Sequence, residues 1–134
     1  MNAENTYVFR HALLREAAYQ LQLPGDRQSE GVALGNLASL FAETGRLEQA
    51  ERTFQHALSI HRQLGNRRFE GIHNCSYALC LLAMGRRREA AENWRQGMKV
   101  LTELHDDQAA ESLRGDMQAA CQKAGEPSLE AGPA

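Results

Sequence analysis

The sequence predicts an all-α protein built as a solenoid of antiparallel helix pairs, and three observations predict it. Residues 25–64 laid over 65–104 without a gap give nine identities: Gly25/Gly65, Arg27/Arg67, Glu30/Glu70, Gly31/Gly71, Ala38/Ala78, Gly45/Gly85, Arg46/Arg86, Ala50/Ala90 and Leu64/Leu104. A fixed 40-residue period implies stacked supersecondary units, each burying an apolar face against its neighbours. Breakers at Pro24-Gly25, Gly45, Gly65, Gly85 and Gly125 then cut the chain into segments of about four to five helical turns, with glycine where a helix ends in a left-handed cap. No segment shows the strict apolar and polar alternation of a half-buried strand.

Six helices follow. The first, over residues 7–22, carries Phe9, Leu13, Leu14, Ala17, Ala18 and Leu21, more apolar surface than one neighbouring helix covers, so a homodimer through this patch or through an apolar end face is one expectation. The second, 28–44, spaces Leu34, Leu37, Ala38 and Phe41 on one face; the third, 47–63, spaces Ala50, Phe54 and Ala57. The fourth and fifth, 68–84 and 87–104, repeat the scheme with Tyr77, Ala78 and Leu81, then Ala90, Trp94 and Gly97. The sixth, 107–124, has Met117 and Cys121 at the places of Leu37 and Phe41 but Gln118 where the small alanine stood, the polar character a solenoid needs at its open end. Beyond Gly125 the run EPSLEAGPA predicts a disordered tail. The organisation is an N-terminal helix over 1–24, repeats over 25–64 and 65–104, a capping helix over 105–125, and the tail over 126–134.

Composition narrows the function. A formal charge of −2 provides no long-range field toward nucleic acid or an anionic membrane, so neither is expected as a partner. No apolar run approaches the roughly 20 residues of a membrane span. The start, MNAENTYVFRHALL, lacks the order of a secretory signal, and three cysteines are an odd number in a chain that needs no staples; these predict a reduced, cytoplasmic protein. Cys75 and Cys80, five residues apart, point about 140° away from each other on a helix, and there is no CxxC or HExxH, so no metal is expected. No flanking signature surrounds a Cys/His nucleophile and no phosphate-binding glycine loop occurs, so no catalytic residue and no cofactor is predicted. Arg67-Arg68 and Arg86-Arg87-Arg88 read as solvated surface, with Arg67–Glu70 and Arg86–Glu89 spaced for local pairing.

The spaced positions resemble those of tetratricopeptide repeats. Leu34-x2-Leu37-Ala38-x2-Phe41, then Ala50-x3-Phe54 with Ala57, matches the pattern W-x2-L-G-x2-Y, A-x3-F; the second copy is Asn74-x2-Tyr77-Ala78-x2-Leu81, then Ala90-x3-Trp94 with Gly97. The period of 40 exceeds the commoner 34 and is similar to the long repeats of kinesin light chains, and the proline near the end of the second helix is missing, Arg62 and Thr102 standing near that place. The resemblance implies a right-handed solenoid of about two and a half repeats that binds a protein or peptide partner, with the first helix of each pair lining a concave groove. Matching spacing points Gly35, Asn36, Ser39 and Glu43 in one copy, and Cys75, Ser76, Leu79 and Ala83 in the other, toward that groove. Asn36 would hold a peptide backbone through its amide. The only lysines, Lys99 and Lys123, lie outside the positions that clamp a terminal carboxylate in the family, so a peptide held by shape and backbone bonds is expected instead.

A second likeness covers Phe9 to Arg27, which resembles the segment closing the helical lid of signalling ATPases in bacterial multidomain cyclases and kinases. It implies a piece of a larger bacterial signalling regulator, with a purely structural segment of such an ATPase, cyclase or kinase, holding no separate ligand, as the alternative. The nucleotide site of such an ATPase has no counterpart here.

Overall fold

A computed structural model describes residues 26–131. Five helices follow one another: α1 Arg27–Glu43, α2 Leu47–Leu64, α3 Arg67–Ala83, α4 Arg87–Glu103 and α5 Asp107–Ala124. Their ends fall within a residue of those predicted, and no strand occurs among the described residues. The predicted helix over 7–22, and with it most of the lid-like segment, lies outside them.

Local chemistry sets each boundary. The first helix of every pair is capped at the same 40-residue beat: the Asp26, Asn66 and Asp106 side chains accept from the backbone N–H of Ser29, Phe69 and Ala109. This satisfies an N–H group that has no partner inside the helix. The other ends recur every 20 residues at Gly45, Gly65, Gly85 and Gly125, all with φ between 68° and 82°. His105 keeps that beat without being glycine, at φ 57°.

Within a pair, α1 packs on α2 and α3 on α4; between pairs, α2 meets α3, and the first helices α1, α3 and α5 touch in succession. The repeat positions explain the arrangement. Ala38, Ala78, Ala50 and Ala90 are fully buried where helices cross closely, while Phe54 and Trp94 fill the space between them. Phe54 stacks on Tyr77 of the next pair, ring centroids 5.6 Å apart. The α3–α4 crossing is tighter still: a Cβ on Gly97 would lie 2.6 Å from the Gly71 carbonyl oxygen and 2.5 Å from Cys75 Sγ. Only glycine fits there. The result is an α-solenoid with a single continuous core through the described residues.

Two expectations are corrected. The composition of residues 126–134 predicts disorder, yet as far as Ala131 the chain folds back as a strap. Leu129 is buried, its N–H contacts Met117 Sδ at 3.5 Å, and Arg87 donates to the carbonyls of Pro127 and Ser128 at 2.8 and 3.0 Å. One apolar side chain and one arginine suffice to hold a segment that composition alone leaves unplaced. Arg86 pairs with Glu89 at 2.5 Å as its spacing suggests, but Arg67 reaches Glu103 at 2.6 Å and Glu70 pairs with Arg62 at 3.0 Å. Stacking brings these partners closer than the three-residue spacing does.

Candidate functional site

The C-terminal halves of α1, α3 and α5 enclose a groove of about 580 Å³. Ser39, Ala42 and Glu43 come from α1, Ser76, Leu79 and Ala83 from α3, and Ala120 and Lys123 from α5. Five of the eight groove residues predicted from spacing, Ser39, Glu43, Ser76, Leu79 and Ala83, therefore share one surface.

The other three do not line it. Cys75 is fully buried, with Sγ 3.8 Å from the Trp94 carbonyl oxygen. The predicted spacing put it on the groove face, but the glycine crossing draws α4 so close that position 75 turns into the α3–α4 interface. Its counterpart Gly35 is buried as well, against the ring of His73. Asn36 is exposed but lies one turn before the groove, and its Oδ1 stands 3.4 Å from His73 Nε2. That contact continues inward, for His73 Nδ1 is 2.9 Å from His61 Nε2. With Asn36 Oδ1 as acceptor, His73 carries its proton on Nε2, its Nδ1 accepts from His61 Nε2–H, and His61 Nδ1 is buried without a partner. Nothing in the spacing of two histidines twelve residues apart announced this pair. The only signal was glycine at 31 and 35, where an added Cβ would meet the His61 and His73 rings.

The chemistry of the groove is one-sided. Ser39 Oγ donates to the Gly35 carbonyl at 3.3 Å and Ser76 Oγ to that of Ile72 at 3.2 Å, each four residues back. Their protons are spent inside the helices, so toward the groove these hydroxyls offer lone pairs. Glu43 and Asp116 add carboxylates, and three helix C-termini add the negative ends of their dipoles. Lys123 is the one cationic side chain among the lining residues. Leu79 and the alanines supply an apolar floor. Apart from Lys123, this surface presents hydrogen-bond acceptors and negative charge around an apolar floor.

The cysteines are not poised for chemistry: burial pushes the Cys75 thiol up to about 12 and the Cys80 thiol up to about 11, which keeps both protonated at neutral pH. Among the described residues, no three His, Cys, Asp or Glu side chains are grouped to hold a metal ion, and no helix is long and apolar enough to cross a membrane.

Comparison with known proteins settles the family. A tetratricopeptide repeat model matches residues 29–103, more than half of the chain. The chain belongs to the tetratricopeptide repeat family. No curated protein and no solved structure matches it. Tetratricopeptide repeats generally mediate protein–protein interaction and are typically non-catalytic, and the matched span contains α1 to α4, hence the α1 and α3 walls of the groove.

Proposed function

We propose that this tetratricopeptide repeat protein is an interaction module whose groove between α1, α3 and α5 holds a peptide or a partner's helix. The observation that carries the proposal is the convergence of Ser39, Glu43, Ser76 and Leu79, with Ala120 and Lys123, on one open surface of about 580 Å³. Because that surface is rich in acceptors and poor in donors, the favoured ligand is an apolar segment with backbone N–H groups or a basic side chain available. Leu79 packs the segment while Glu43, Asp116 and the two serines receive its donors. Asn36, one turn away, extends the track with its amide N–H group, its oxygen already facing His73. The likeness of Phe9 to Arg27 to a signalling ATPase lid supports a role as part of a bacterial signalling regulator in the cytoplasm. The competing reading, a homodimer through the apolar face of residues 7–22, rests on the sequence alone.

A peptide library displayed on phage, selected on the purified chain, provides the test. Selected peptides should be enriched in apolar residues with Lys or Arg, and calorimetry should show Leu79→Glu weakening them by at least about tenfold, roughly 1.4 kcal/mol. Selected peptides that bind Leu79→Glu as well as the wild type would place the site elsewhere.

A further inference from the structure

A second surface has the opposite chemistry and shares no residue with the groove. Along α4, Arg88, Ala91, Arg95 and Met98 form one wall of an open cleft of about 930 Å³, and the strap residues Leu129 and Glu130 form the other. The arginines of the described residues are mostly engaged: Arg27, Arg62, Arg67, Arg68, Arg86, Arg87 and Arg114 each pair with a carboxylate. Arg88 and Arg95 are exposed and have no such partner. Seven residues apart on one helix, they project from the same face at about 10 Å spacing, on either side of the apolar Ala91. Glu130, the acid within the cleft, is held by Arg114 at 3.1 Å. Two guanidinium groups thus flank an apolar strip, and Glu92, which stands between them on the same helix, is ion-paired with neither. Trp94 contributes to the same cleft, and its buried indole N–H has no acceptor.

We propose that this cleft docks an acidic amphipathic helix of a protein partner, with carboxylates two turns apart set against Arg88 and Arg95 and an apolar stripe laid over Ala91 and Met98. Charge complementarity carries the choice of occupant. A guanidinium pair on one helix face matches carboxylates at the same two-turn spacing on a second helix, and bidentate pairing gives such a contact direction as well as charge. The strap shapes the cleft from the other side, since Arg87 fixes its backbone and Leu129 anchors it in the core. The proposal does not depend on the groove between α1, α3 and α5.

Trp94 is the only tryptophan, so its emission reports on the cleft without a label. The probe is a synthetic helix of about five turns with a leucine stripe and glutamates at seven-residue spacing; its control carries lysines in their place. Saturable binding of the glutamate helix with a change in Trp94 emission, weakened at least about tenfold by Arg88→Glu/Arg95→Glu and by raised salt but not by Leu79→Glu, is the expected result. Circular dichroism confirms that the double variant is folded. Equal binding of the lysine helix, no binding of the glutamate helix, or indifference to the double charge reversal would overturn the proposal. So would dimerisation of the chain alone that the double variant abolishes, because the occupant would then be a second copy.

Discussion

The His61–His73 pair makes stability depend on pH in a direction and over a window that the structure fixes. Both rings are buried, and Phe69 lies against each of them, with centroids 6.0 Å from His61 and 5.6 Å from His73. Burial lowers the pKa of His61, with the charge of Glu70 opposing; burial, and then the neighbouring His61, lowers that of His73 from the ordinary 6.5 to about 4. A histidine depressed in the folded state binds fewer protons there than in the unfolded chain. Its neutral form therefore costs nothing above the unfolded pKa, and stability is lost as pH falls from about 6.5 toward 4. For His73 alone, the proton-binding difference integrates to about 2 kcal/mol between roughly pH 7 and pH 5, a window above most carboxylate titration. Protonation also turns His73 Nδ1 into a donor, so the 2.9 Å contact survives only if the His61 proton moves from Nε2 to the buried, partnerless Nδ1.

Urea unfolding at the two pH values measures the loss, and the His61→Gln/His73→Gln variant, which cannot charge at either position, should show a nearly flat profile. Proton NMR supplies the second readout: the His73 ring should keep its neutral shift down to about pH 5. A wild type that loses less than about 0.5 kcal/mol over this range, or a His73 signal that titrates near the ordinary 6.5, would refute the buried, neutral pair.

Two further outcomes test the repeat geometry by thermal or urea unfolding followed by circular dichroism. Trp94→Ala removes a ring that is 1% exposed and should cost about 3 to 5 kcal/mol; a loss under about 1 kcal/mol would show that the ring is not in the core. Gly97→Ala should destabilise by about 1 to 3 kcal/mol because its Cβ would meet Gly71 and Cys75, whereas Gly115→Ala, with nothing within 4 Å, should stabilise by up to about 1 kcal/mol; equal effects of the two would mean that the α3–α4 crossing is looser than described.

The helices and their stacking were legible because their boundaries and crossings are written locally and then repeated. A glycine ends a helix through its own φ, an alanine marks a crossing through its own size, and the 40-residue copy of each converts a weak local preference into a register. The caps at Asp26, Asn66 and Asp106 were available on the same terms, as short acceptor side chains at the same beat. What the sequence could not supply was rotation. Cys75 and Ser76 are adjacent, and whether the groove receives one or the other depends on how far α4 approaches α3, which is set by Gly71 and Gly97, residues with no side chain to announce a contact. The strap was hidden for a similar reason: Leu129 is a lone apolar residue in a polar run, and its place in the core exists only once α5 has put Met117 beside it.

The two candidate surfaces follow from this same division. The first helix of each repeat spends its small and aromatic residues on the crossing and keeps Ser39, Ser76 and Leu79 for the groove; α4 buries Ala90 and Trp94 and is left with Arg88 and Arg95 outside. One surface accepts hydrogen bonds and the other donates them. A partner with a basic, apolar segment and an acidic helix would engage both, and each contact would raise the effective concentration of the other. The chain would then act as a clamp whose affinity depends on how the partner spaces its two segments: in one synthetic ligand joining a groove peptide to the glutamate helix, the combined affinity should peak when the linker just spans the two surfaces and fall as it is lengthened beyond that, while each separate affinity stays unchanged.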